Sequence, residues 1–76
     1  MRALFYTKAG CPLCEEAEEL LDALEADYEK VDIYGDAALF ERYRYRVPVI
    51  RVGNVDLLEL RFTREELAQV LSTGHR

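Results

Sequence analysis

The stretch Lys8-Ala9-Gly10-Cys11-Pro12-Leu13-Cys14 joins a short apolar run to a long amphipathic one and carries both cysteines of the chain. Two thiols spaced as Cys11 and Cys14 at the start of a helix fall on neighbouring positions of one turn, close enough to close a disulfide with little backbone movement. Cys11 is expected to attack first, because the unpaired amide N–H groups and the positive end of the helix dipole favour its sulfur as thiolate, the species that attacks disulfides. Pro12 suits the first helical position, having no N–H to leave unsatisfied. Gly10 permits the tight turn and leaves the Cys11 sulfur uncrowded. Lys8 adds a positive charge for the thiolate or for an anionic partner. Cys14, one turn in, is expected to be more shielded and to resolve the mixed disulfide that Cys11 forms.

The flanks of this stretch read as a strand followed by a helix. Ala3 to Thr7 is rich in β-formers, and Leu13, Cys14, Ala17, Leu20, Leu21 and Leu24 recur at helical spacing, giving one apolar stripe from about Pro12 to Ala26. The acidic residues between them, Glu15 to Glu25, read as a solvated face, with a docking surface for a basic partner as the alternative. Tyr28 to Ile33 alternates as a second strand, so strand, helix and strand make a right-handed parallel unit. Asp36 is a candidate N-cap for a short helix from Ala37 to about Tyr43. Val47 to Val52 and Val55 to Leu60 flank Gly53-Asn54, which fits an antiparallel hairpin. A capping box of Thr63 and Glu66, a staple of Phe62 and Leu67, and a stop at Gly74 mark the last helix. Tyr6 and Thr7 are read as packing residues, and His75 as a tail residue with no part in catalysis.

The chain has 76 residues and a net charge of −5, which suits a single domain over residues 1–76. Two cysteines make no disulfide framework, and a bridge closing so short a loop adds little chain-entropy stabilisation, so they are there for reactivity or a metal. The apolar run at Ala3 to Thr7 is far too short for a signal peptide or membrane span, and the chain is expected to be cytoplasmic. The acidic balance argues against nucleic acid and anionic membranes as partners.

The order β-α-β-α-β-β-α with C-x-x-C at the first strand-to-helix turn resembles the glutaredoxins, within the thioredoxin fold. Two segments carry the resemblance: Tyr6 to Cys14, and Arg46-Val47-Pro48-Val49 further on. It implies an α/β fold with a four-stranded mixed sheet flanked by three helices. It also implies a cis bond at Pro48 beside the C-x-x-C, with the Val47 backbone holding an extended peptide or glutathione so that its sulfur lines up with Cys11. Glutaredoxins that use glutathione usually have a Gly-Gly pair before the last helix. The segment Glu59-Leu60-Arg61-Phe62-Thr63-Arg64-Glu65-Glu66 has none, and the nearest likeness is to small glutaredoxin-like proteins with a glutamate directly after the second cysteine, here Glu15. Arg44 and Arg46, just before Pro48, are candidates for a glutathione or peptide carboxylate.

The function expected from these features is thiol-disulfide oxidoreduction in cell redox homeostasis. Cys11 and Cys14 carry it, with Lys8, Val47, Pro48, Arg46 and Arg44 at the substrate and Gly10 and Pro12 supporting the motif. No metal or organic cofactor is needed. The expected partners are a disulfide-containing protein or a glutathione mixed disulfide, with glutathione, or else thioredoxin reductase, as electron donor to a monomer. The alternative is a binding module in which the C-x-x-C, shared across a dimer, holds a metal ion or iron-sulfur cluster.

Overall fold

A computed structural model describes residues 2–73. In chain order the elements are β1 (Ala3–Thr7), α1 (Pro12–Ala23), β2 (Tyr28–Asp32), a 3-10 turn (Ile33–Gly35), α2 (Ala37–Tyr43), β3 (Val49–Val52), β4 (Val55–Glu59) and α3 (Arg64–Thr73). The four strands form one sheet in the order β2-β1-β3-β4. β1 and β2 are parallel, whereas β3 is antiparallel to both β1 and β4. The sheet is therefore mixed and accompanied by three helices, as the resemblance implied.

Local chemistry fixes most of the boundaries. Asp36 Oδ1 accepts the N–H groups of Ala38 and Leu39 at 2.9 and 3.1 Å, capping α2. Thr63 and Glu66 make the reciprocal capping box at 2.8 and 3.1 Å. The expected helix stop at Gly74 lies outside the described residues. Gly53, at φ 64°, makes the hairpin turn that pairs Val52 with Val55.

Four boundaries differ from the sequence expectation. The first helix ends at Ala23 rather than Ala26, because Leu24 caps it and Glu25 turns left-handed at φ 53°. The second strand stops at Asp32, whose carboxylate accepts the Tyr34 N–H at 2.9 Å and opens the 3-10 turn. The third strand begins at Val49 rather than Val47, since the Val47 N–H is donated to Tyr43 O at 3.0 Å and Pro48 has none to give. The fourth ends at Glu59, with Leu60 beyond it at φ 66°.

The core gathers Phe5 and Tyr6 of β1, Ala17 and Leu21 of α1, Ile33, Tyr43, Val49 and Ile50, and Leu67 of α3. Cys11 and Cys14 belong to the same buried cluster. The reactive turn is thus anchored by the packing that holds the domain together. Among the described residues no helix is long and apolar enough to cross a membrane.

Candidate active site

Cys11 is the N-cap of α1, in extended conformation, and Pro12 follows at the first helical position. From this cap the Cys11 Sγ accepts the backbone N–H of Cys14 at 3.2 Å. One of the orphan donors at the helix start is thereby satisfied by sulfur. Gly10 has φ 73°, and a Cβ built on it would meet nothing within 4 Å. The glycine is thus demanded by the left-handed backbone rather than by crowding.

The two thiols differ in exposure as the spacing implied. Cys11 retains 9% of its surface and Cys14 only 2%. Burial is the main cause that pushes the Cys14 thiol above its ordinary value, reinforced by its hydrogen bond with Cys11. Hydrogen bonds from the Thr7 side chain and the Lys8 backbone act the other way, favouring the Cys14 thiolate. Thr7, a packing residue by sequence, is buried at the end of β1. It therefore reaches chemistry that sequence reasoning missed, and its place directly before the reactive turn was the only available signal.

A surface groove is lined by both cysteines together with Lys8, Gly10, Glu15, Glu18, Lys30 and Asp32. Lys8 Nζ donates to Arg44 O at 3.1 Å, so its charge is held at the end of α2 and ties the reactive turn to it. The guanidinium of Arg44 lies 4.7 Å from the ring centre of Tyr45 and 5.7 Å from that of Phe40. Stacking there spreads its side chain over exposed and half-buried aromatic surface.

The Val47–Pro48 bond is cis, and the Pro48 side chain is fully buried. β1 and β3 pair with Tyr6 opposite Val49. One step further along that register puts Pro48 beside Thr7, at the strand end from which the cysteine turn springs. Tyr43 O takes the Val47 N–H at 3.0 Å, so that donor is committed within the fold.

Arg46 is ion-paired within the fold. Its guanidinium pairs with Glu59, and its Nη2 pairs with Asp56 at 3.1 Å. Arg51 Nη1 reaches the same Asp56 at 3.1 Å and donates to the Tyr43 hydroxyl at 3.1 Å. That hydroxyl in turn donates to Asp56. The Tyr43 ring stacks on Tyr6 with centroids 4.5 Å apart, and its carbonyl accepts from both Arg46 and Val47. This partly buried network, with the Tyr43–Tyr6 stack, holds the segment before Pro48 against β1. It is invisible in the sequence because it depends on the register of β3 with β4.

Among the described residues no three His, Cys, Asp or Glu side chains cluster where they could hold a metal ion. His75 lies outside the described residues.

The family model for the glutaredoxin-like domain (DUF836) matches residues 2–72. A structural-genomics target protein from X. campestris, solved by X-ray, is 33% identical over 93% of this chain and 96% of its own, with a TM-score of 0.82. The thioredoxin-like protein BC3987 is 29% identical over 90% of this chain and 97% of its own, with a TM-score of 0.68. A glutaredoxin from Brucella melitensis is 25% identical over 97% and 82%, with a TM-score of 0.65. Likeness to glutaredoxin-like and thioredoxin-like proteins supports a redox function in general.

Proposed function

The chain belongs to the glutaredoxin-like domain (DUF836) family, and from that premise we propose that it is a thiol-disulfide oxidoreductase working through Cys11 and Cys14. The observation that carries the proposal is the Cys11 sulfur at the helix cap, accepting the Cys14 N–H at 3.2 Å and lining one groove with the second thiol.

The Cys11 thiolate attacks one sulfur of a substrate disulfide. A Cys11–substrate disulfide forms, and the other substrate sulfur leaves as a thiolate that takes a proton. Cys14 then loses its proton and attacks Cys11 Sγ, releasing the second substrate sulfur as thiolate. The substrate gains two electrons, and the protein is left with a Cys11–Cys14 disulfide. A thiol donor, either glutathione or a thioredoxin-reductase-type protein, returns those electrons by the same exchange.

In this reading the Val47 carbonyl and Pro48 align the substrate chain, and Lys8 and Arg44 favour an anionic flank. Arg46 serves the same end indirectly, by holding the Pro48 segment through Asp56 and Glu59. Its guanidinium meets a substrate carboxylate only by giving up one of those partners. The setting is a cytoplasm whose reducing systems keep both thiols available, and the working form is a monomer.

Turnover of a small glutathione mixed disulfide, coupled to NADPH through glutathione reductase, tests the reading when run beside thioredoxin reductase as alternative donor. Turnover with either donor supports it and identifies the reductant. Silence with both, from fully reduced protein, contradicts it.

A further inference from the structure

On the side of α2, the surface next to the reactive turn is aromatic and cationic. The ring of Tyr34, in the 3-10 turn, stacks on Phe40 with centroids 5.6 Å apart. The Arg44 guanidinium lies 5.7 Å from the Phe40 ring and 4.7 Å from that of Tyr45. These four side chains make one ridge, and its two ends stand open, Tyr34 at 57% and Tyr45 at 77% exposure. Their contacts within the chain therefore leave large aromatic faces in water, a feature of interaction surfaces rather than of packing.

The ridge adjoins the chemistry. Arg44 O accepts from Lys8 Nζ at 3.1 Å, and Lys8 lines the groove that holds both cysteines. None of the four ridge side chains lines that groove. A ligand that meets Cys11 and the ridge together must extend out of the groove, as a protein segment does. We propose that the ridge docks an acidic segment of the disulfide-bearing protein, with a carboxylate on Arg44 and a neighbouring side chain on the open face of Tyr45. The inference rests on the thiol-disulfide reading given above and specifies its substrate class.

Charge selects this occupant. Lys8 spends its donor on a neutral carbonyl, which leaves its charge uncompensated. Arg44 Nη1 has Glu41 at 4.0 Å, and the Glu41 side chain is 74% exposed. Such a contact is worth little in water, so a partner's carboxylate can displace it. Asp36, at the Tyr34 end, is committed to the N–H groups that it caps. The opposite bank of the groove carries Glu15, Glu18 and Asp32, and its Lys30 is taken by Glu18 at 3.1 Å. An acidic segment is thereby steered away from α1 and toward the ridge. The Phe40 and Tyr45 rings hold Arg44 before the partner arrives, which lessens the freedom lost on docking, and Tyr and Arg are the residue types that anchor protein interfaces.

The test uses peptides joined through one cysteine to the same small thiol, with a run of glutamates before the cysteine, a run after it, or glutamines in both places. Their kcat/KM values are measured at low salt with reduced wild-type protein, Arg44→Gln, Tyr45→Ser and Arg64→Gln, the last removing an exposed cation of α3. The wild type is expected to favour one glutamate arrangement over glutamine by about fivefold, the one that lays the acids along the ridge. The other arrangement meets Glu15 and Asp32 and gains nothing. Arg44→Gln brings the preferred ratio near unity by raising KM, Tyr45→Ser lowers it by about twofold, and Arg64→Gln keeps it. A wild type without preference, a ratio left intact by Arg44→Gln or by Tyr45→Ser, or one lost equally in Arg64→Gln overturns the docking ridge and leaves thiol exchange standing. Failure of the wild type to reduce any of the peptides overturns both.

Discussion

The backbone N–H of Cys14 is directed at the Sγ of Cys11 across 3.2 Å, so in the proposed mechanism the residue that resolves the mixed disulfide also donates a hydrogen bond to the sulfur that forms it. This link is made by the backbone of Cys14. It therefore survives replacement of the Cys14 side chain, and the two thiols can be separated by mutation.

Cys11→Ser is expected to abolish exchange with every disulfide. Cys14→Ser retains attack by Cys11 and stalls at the mixed disulfide with protein substrates, while still exchanging with glutathione mixed disulfides. Mass spectrometry of the stalled adduct checks this, with the substrate found on Cys11. Equal loss from both changes toward all substrates contradicts the division of labour.

Burial holds the Cys14 thiol above its ordinary value of 9.0. Resolution needs the thiolate, so its rate is expected to rise about tenfold per pH unit between about pH 6 and about pH 8, as followed by release of substrate thiol from a preformed Cys11 adduct. The same shift links to folding. A thiol whose folded value is raised contributes stability that is fully present below the unfolded value and is lost as pH rises through the folded one. The reduced protein therefore weakens in alkali above about pH 9 relative to Cys14→Ala, which urea titrations at a series of pH values will detect.

Thr7 favours the Cys14 thiolate through its side-chain hydrogen bond. Thr7→Val keeps the volume and removes that bond. It is expected to slow resolution by about threefold to tenfold, the scale of one neutral hydrogen bond, with the initial attack by Cys11 little changed. A uniform slowing of both steps marks a packing defect instead.

Asp56 joins Arg46, Arg51 and the Tyr43 hydroxyl, with its side chain 14% exposed against 36% and 18% for the two arginines. Asp56→Ala leaves Arg51 and the Tyr43 hydroxyl without their carboxylate and Arg46 with Glu59 alone. A fully buried pair costs about 3–5 kcal/mol to break; the partial exposure here reduces the expected loss to about 1–3 kcal/mol, read from the urea midpoint.

The sequence makes legible what local chemistry decides. The C-x-x-C turn, the Asp36 cap, the Thr63–Glu66 box and the Gly53–Asn54 hairpin each satisfy backbone groups within a few residues, and all four stand where the pattern puts them. The positions that escaped it are set by distant chain. The third strand starts at Val49 because Tyr43 O takes the Val47 N–H, and Leu60 turns left-handed against Leu's own preference because Pro48 O and Arg46 O hold its N–H. Arg46 reads as a substrate contact while its neighbours on β4 are unknown; once register places Asp56 and Glu59 beside it, its fork is engaged. Thr7 reads as packing until α1 is folded back over the end of β1, which brings Cys14 to its hydroxyl.

The central claim is that Cys11 and Cys14 exchange a pair of electrons with a disulfide, and the products measure it most directly. Fully reduced protein is mixed with insulin or another accessible protein disulfide, quenched in acid, alkylated and digested. The account expects new substrate thiols to appear in equal number to those lost from the protein, with Cys11 and Cys14 recovered as one disulfide-linked peptide. If both cysteines are recovered alkylated and the substrate disulfide remains intact, the account is contradicted.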